Sequence, residues 1–212
     1  QRSTPLYSSA ESDVYKRQAT GGYEMYENAY RFQKKHSITQ NNLESASLFS
    51  EFSKQPLDVK RRLISAAQKW ISNQKYRPRL SQVDALINSI DEKVTFSGSG
   101  TICYFHNNSI RITREANACV CEIEASNDVI FDRRWKLIAL ENCKDLTIKC
   151  LGEDGYTFLE PGIRKKIPYK TIIALPALFN DTNLINFPFI DPESKFKFNL
   201  CKQPFNQFLL DH

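Results

Sequence analysis

Asp58 to Asp91 reads DVKRRLISAAQKWISNQKYRPRLSQVDALINSID, a pattern that predicts two amphipathic helices joined by a short basic hinge, Lys75-Tyr76-Arg77-Pro78-Arg79. In the first helix Val59, Leu63, Ala66, Ala67, Trp70 and Ile71 recur at three- and four-residue spacing, which puts them on one face. Asp58 suits the N-cap, where its charge meets the positive end of the helix dipole. Pro78 disfavours helical geometry at Arg77, so the first helix should stop within the hinge. Ser81 then offers a second cap, with Asp84 three residues on as the acidic half of a capping box. Val83, Leu86, Ile87 and Ile90 form the buried stripe of the second helix.

Between Lys54 and Arg79 stand eight bases (Lys54, Lys60, Arg61, Arg62, Lys69, Lys75, Arg77, Arg79) against one acid, Asp58. Such a run can simply be a solvated helix face. Tyr76 lies among the bases, however, and an aromatic ring beside arginines can stack on a nucleobase while they neutralise phosphates.

Upstream, residues 22–52 read as helical and polar-aromatic, with Tyr23, Tyr26 and Tyr30 on one face and a second helix over Leu43 to Phe52. Residues 1–18, QRSTPLYSSAESDVYKRQ, have no apolar periodicity and no complete cap pattern. They resemble a translated adapter sequence, a non-native leader, with a disordered polar segment as the native alternative.

After Asp91 the pattern changes to period two. Thr95-Phe96-Ser97-Gly98 opens it, Ile102 to Phe105 and Ile110 to Thr113 follow, and Asn107-Asn108 between them is a hairpin signal because Asn tolerates positive φ. Ser97-Gly98-Ser99-Gly100 lacks the lysine and following helix of a phosphate loop, and reads as a turn or bulge. Further strands are expected at Trp135 to Leu140, Leu146 to Leu151, Ile172 to Phe179 and Leu184 to Ile190, with a turn at Gly152 to Gly155. Phe196 and Phe198 alternate with Lys195 and Lys197, as in an edge strand whose lysines blunt unwanted pairing. The expected fold class is therefore α+β: an N-terminal helical subdomain followed by a small, mostly antiparallel β-rich domain. The expected boundaries are a leader at 1–18, a helical subdomain at 19–91 and a β-rich domain at 92–212.

The chain of 212 residues is long enough for a sizeable core, carries a net charge of +5, and has no run of eighteen apolar residues. Its six cysteines, without a secretory signal, read as reduced thiols, and cytoplasmic localisation is expected. Cys119 and Cys121 form a Cys-x-Cys pair that lacks two further ligands at metal-binding spacing, so they read as packed thiols. Asp132 and Arg134, within Val129 to Trp135 (VIFDRRW), read as an ion pair of little worth if exposed.

Four of these stretches resemble, in order, the region after the catalytic domain of tRNA(Ile)-lysidine synthetases, the alphaproteobacterial, Rickettsia-like branch most of all. They are the Tyr76-Arg77-Pro78-Arg79 hinge after a helix opening Asp-Val-Lys-Arg-Arg-Leu; the strand at Thr95-Phe96-Ser97-Gly98 with its hairpin and Arg114-Glu115; VIFDRRW, similar to a Trp-Asp-x-Arg-Phe stretch with its aromatics exchanged; and Leu175-Pro176-Ala177-Leu178 with Pro188. Phe96 stands where the family usually has leucine. The family's Ser-Gly-Gly-x-Asp-Ser loop for ATP phosphates has no match in this sequence. The resemblance thus implies a non-catalytic C-terminal fragment of an ATP-dependent, carbon–nitrogen bond-forming ligase. Catalytic and cofactor-binding residues, like metal ligands, are expected to be none here, with ATP and magnesium belonging to a preceding N-terminal domain. The implied partner is an isoleucine tRNA with a CAU anticodon; no membrane is implied, and a homodimer is compatible with the reading. The candidate RNA-binding residues are Lys60, Arg61, Arg62, Lys75, Tyr76, Arg77, Arg79, Arg114, Arg134, Lys165 and Lys166. The rival from another class is a protein–protein adaptor, its charge merely solvating a helical hairpin.

Overall fold

A computed structural model describes residues 45–48, 52–106, 109–120, 122–165, 167–189 and 193–210. The leader at 1–18, the tyrosines Tyr23, Tyr26 and Tyr30, the Asn107-Asn108 turn, Cys121 and Lys166 lie outside the described residues. Contacts divide the chain into two units, Asn42–Phe205 and a second made of Gln1–Asn41 with Asn206–His212; of the second, only part of a C-terminal helix, Phe205–Leu210, is described.

The apolar spacing after Pro56 produces helix α1 at Leu57–Ser72, and the spacing after Arg79 produces α2 at Leu80–Asp91. Val83, Leu86, Ile87 and Ile90 are buried as their spacing predicts. On α1 Ala66, Ala67, Trp70 and Ile71 are buried as expected, while Val59 and Leu63 are only half-buried and Lys60, Ile64 and Gln68 also point inward. Two of these inward residues are polar and anchored. Gln68 Nε2 donates to Thr101 Oγ1 at 3.3 Å, and the Lys60 ammonium lies 5.5 Å from the Phe52 ring centre and 3.6 Å from Asp91. Neither expected side-chain cap forms. Pro56 and Arg79 occupy the N-cap positions, Asp58 pairs with Arg62 one turn on, and Asp84 is engaged elsewhere.

The helices are followed by mostly antiparallel strands, an α+β arrangement. The first sheet has the order β1-β4-β3-β2, with β1 Ser45–Leu48, β2 Phe96–Gly98, β3 Thr101–His106 and β4 Ser109–Arg114. The strand at Ser45–Leu48 replaces the helix expected over Leu43 to Phe52. It runs antiparallel to β4, Ala46 opposite Ile112, and pairs backbone groups that β4 would otherwise leave unbonded. In β3 and β4, Cys103 and Ile112 share the face that carries Thr101 toward Gln68. Tyr104 and Thr113 take the other face, and they too are buried, with Tyr104 Oη 2.6 Å from Thr171 Oγ1. This sheet is covered on both faces.

The second sheet, β10-β9-β8-β5, uses Ile123–Glu124 (β5), Thr147–Cys150 (β8), Pro176–Asn180 (β9) and Asn183–Asn186 (β10). The third, β11-β7-β6, uses Ile130–Phe131 (β6), Trp135–Ala139 (β7) and Phe196–Leu200 (β11). As expected, β11 is an edge strand that buries Phe196 and Phe198 and leaves Lys197 exposed. Between β8 and β9 two expectations fail. Gly152–Thr157 is a short helix, not a turn, and Ile172 ends another at Tyr169–Ile172 instead of opening a strand. In the first of these helices Gly155 sits so close to Leu151 and Phe179 that a Cβ would lie 2.8 Å from Leu151 Cδ1. Phe131, Trp135, Leu137, Ile148, Leu151, Leu178 and Phe179 centre the core shared by these two sheets. No helix among the described residues is long and apolar enough to cross a membrane.

Leu86 is fully buried where α2 meets α1. Leu86→Ala should lower the unfolding free energy by about 2–5 kcal/mol in urea titrations, the usual range for a core leucine truncated to alanine.

Candidate nucleic-acid interface

Helix α1 ends at Ser72 because Asn73 takes the left-handed conformation at φ 52°, earlier than the stop expected from Pro78. Its side chain donates from Nδ2 to the Arg133 carbonyl at 2.6 Å. Gln74 then reaches the Ser99 carbonyl at 3.4 Å, and Ser99 Oγ bonds Gln82 Oε1 at 2.9 Å. The hinge is thus pinned to two turns, one at Ser99-Gly100 and one at Asp132-Arg133. What it shows to solvent is Lys75, Tyr76, Arg77 and Arg79, with Tyr76 73% exposed. The Lys75 ammonium sits 5.5 Å from the Tyr76 ring centre. Arg79 enters α2 in an extended conformation, and its carbonyl accepts from the amides of Gln82 and Val83 at 3.0 and 3.1 Å.

Asp132 and Arg133 both have positive φ, 48° and 56°, and Arg134 N bonds the Phe131 carbonyl at 3.0 Å. That is a type I′ reversal between β6 and β7. Asp132 turns inward, only 8% exposed, between two guanidinium groups. Arg114 Nε and Nη2 reach its carboxylate at 3.0 and 3.2 Å, and Arg134 Nε and Nη2 reach it at 2.8 and 2.6 Å. Arg114 also donates to the Gly100 carbonyl at 2.8 Å and to the Ala118 carbonyl. A Cβ at Gly100 would collide with the Arg114 guanidinium, so this glycine, at φ 69°, is required by close approach as well as by conformation. The Ser97–Gly100 turn is filled by arginine and offers no cradle for a phosphate.

Burial pushes the Arg134 guanidinium down to about 9, still charged at neutral pH. Burial works against the Arg114 charge as well, but the hydrogen bonds and the charge of Asp132 outweigh it and its pKa lies above the ordinary arginine value. Lys202 arrives from β11 and lies 5.3 Å from the Trp70 ring centre, donating to the Trp70 carbonyl and, at 3.3 Å, to that of Ile71. It caps the C-terminal end of α1, where a cation meets the negative end of the helix dipole. Burial, with the neighbouring Arg134 and Arg114 charges, pushes its ammonium down to about 7.

The candidate residues therefore separate. Lys75, Tyr76, Arg77 and Arg79 come together on one exposed hinge. Arg61 is committed to Asp84 through two bonds, Nε–Oδ1 at 2.7 Å and Nη2–Oδ2 at 2.9 Å, which tie α1 to α2. The Asp84 hydrogen bonds raise the Arg61 pKa, and those from Arg61 hold the Asp84 carboxyl below its usual range. Lys60 is buried and Arg62 lies 3.4 Å from Asp58. Arg114 and Arg134 are withdrawn from any phosphate-binding surface, because they are 7% and 0% exposed and spend their donors on Asp132 and interior carbonyls. Their charge marks an internal lock. Lys165 is exposed after the short helix Pro161–Arg164, outside the bonds that assemble the hinge. Arg133, which sequence reasoning passed over in favour of Arg134, is exposed at the tip of the reversal. The signal for it was the Asp-Arg-Arg triplet, in which a reversal begun by Asp132 puts one arginine inside and one outside.

Cys119 is half-buried, and its sulfur lies 3.7 Å from Arg134 Nη2. Its thiol is held above the ordinary range by a hydrogen bond with Cys150 and by burial, which disfavours the thiolate that a metal would require. Among the described residues no three His, Cys, Asp or Glu side chains converge as metal ligands. No family model, curated protein or solved structure matches this chain.

Asp132→Asn should lower the unfolding free energy by about 3–5 kcal/mol in chemical denaturation, because it leaves two buried guanidinium groups without their counter-charge. Lys202 gives a pH test. Its pKa of 10.5 in the unfolded chain falls to about 7 on folding, so across that window the unfolded state binds more protons. Its contribution is present above 10.5 and lost as pH falls through 7. The unfolding free energy of wild type relative to Lys202→Met should therefore rise with pH between these values, by about 1 kcal/mol per unit.

Proposed function

We propose that this chain supplies the tRNA-gripping part of a tRNA(Ile)-lysidine synthetase, in the region that follows the catalytic domain. The observation that carries the reading is the hinge, where Tyr76, 73% exposed, is flanked by exposed Lys75, Arg77 and Arg79 on a backbone pinned at Asn73 and Gln74. An exposed aromatic among cations on a rigid support suits a folded RNA, with the cations neutralising backbone phosphates and the ring stacking on an unpaired base. The sequence resemblance supports the same assignment through the Tyr-Arg-Pro-Arg hinge and three further stretches in order.

In such an enzyme ATP activates the wobble cytidine of a CAU anticodon and lysine displaces AMP. The residues described above would bind and orient the tRNA, and the ATP phosphates would be held by the Ser-Gly-Gly-x-Asp-Ser loop of a catalytic domain. Fixing a large substrate through contacts remote from the chemistry is itself catalytically useful, because misplacement of the reacting atoms is costly.

Two measurements test this. Titration of an isoleucine tRNA transcript across a salt series should give a log K that falls linearly with log salt. Arg77→Ala combined with Arg79→Ala should make that slope shallower by about one to two units and leave the thermal midpoint at the wild-type value, since the helix stripes are untouched. An unchanged slope with a lowered midpoint would make the hinge architecture and favour an adaptor. This polypeptide alone, given ATP, lysine and the tRNA, should show no turnover above a no-protein control, and lysidine formed by it would overturn the assignment.

A further inference from the structure

We infer that Arg133 is a second phosphate contact for the same RNA strand, so that the binding surface comprises the hinge and the β6–β7 reversal together; this rests on the RNA reading of the hinge. Arg133 holds φ 56°, a left-handed region that disfavours a non-glycine residue, where Asn or Gly would serve the backbone better. The residues on either side are spoken for. Asp132 is turned inward onto Arg114 and Arg134, and Arg134 is fully buried, so the reversal sends a single cationic side chain, Arg133, to solvent. The tip is also fixed in place. The Arg133 carbonyl accepts from Asn73 Nδ2 at 2.6 Å, and Asn73 is two residues from Lys75 and four from Arg77. On its inner side the buried carboxylate links the reversal through Arg114 to the Gly100 carbonyl, next to the Ser99 that holds Gln74. An arginine held near a run of exposed cations on pinned backbone suits the phosphates of one RNA backbone, each guanidinium offering a planar fork to phosphate oxygens.

The test uses the full 212-residue chain and a transcript of an isoleucine tRNA with a CAU anticodon. Arg133→Asn removes the charge and keeps a residue that tolerates the left-handed backbone. Its log K against log salt should be shallower than wild type by about 0.7–0.9, one contact's worth of counterion release, at an unchanged or higher thermal midpoint. Arg133→Lys should restore the slope, and the loss should add to that of the hinge double variant. A wild-type slope in Arg133→Asn, alongside a reduced slope in the hinge variant, would overturn the role of Arg133 and leave the hinge reading intact. A slope in Arg133→Lys as shallow as in Arg133→Asn would also overturn it, because charge would then not be the determinant. Failure of the wild-type chain to bind the transcript with salt dependence would overturn both.

Discussion

Asp132 holds two guanidinium groups in the interior, and the arrangement of the hinge depends on that one carboxylate. Arg114 comes from the end of β4 and Arg134 from the reversal just before β7, so a single anion joins the first sheet to the third. Two buried cations against one anion leave an excess of positive charge, met by the Gly100 and Ala118 carbonyls, which Arg114 uses as further acceptors. A buried ion cluster of this kind is weak evidence for net stability, since desolvation offsets much of the attraction. Its effect is geometric. Either guanidinium without the carboxylate would be an uncompensated buried charge, so the reversal at 132–133 has one tolerable position relative to β4.

A second lock works from the same place. Trp70 near the end of α1 donates from Nε1 to the Gln203 carbonyl at 3.0 Å, and its ring centre lies 5.3 Å from the Lys202 ammonium and 5.4 Å from the Phe205 ring centre. The backbone continuing from β11 therefore caps the helix through Lys202, while Asn73 hands the chain across to Arg133. A helix end normally leaves carbonyls to water; here the last turn is bonded by side chains from distant sequence. The hinge leaves that end with its origin fixed, so its exposed side chains project from a defined base.

How much of this was legible in the sequence follows from the range of the interactions. The two helices, the β3–β4 pairing and the Phe196–Leu200 edge strand are patterns of local period, and they can be read from spacing alone. The inward turn of Gln68 on α1 could not, because it meets Thr101, thirty-three positions away. The strand at Ser45–Leu48 was hidden for the same reason, since its reason to be extended is β4. Arg114 and Arg134 were misread as surface because a charge in a sequence does not name its partner. Eighteen residues separate Arg114 from Asp132, and no period connects them.

Arg133 and Arg134 are neighbours of one chemical type, yet the backbone sends one outside and the other to the centre of the molecule. The basic run before the hinge divides in a comparable way. Lys60, Arg61 and Arg62 each meet an acid, Asp91, Asp84 and Asp58, and the first two of these pairs hold α1 against α2. Lys75, Arg77 and Arg79 lie past the end of α1, exposed, with Tyr76 among them. A cation whose loss would loosen the helix pair serves the fold, and its contribution to a partner's phosphate would have to be drawn away from an existing bond. The hinge cations are exposed, on a backbone already fixed by the uncharged side chains of Asn73 and Gln74. Charge density alone therefore overstates the binding surface of this chain, because the burial of Lys60, Arg114 and Arg134 withdraws part of it from any polyanion.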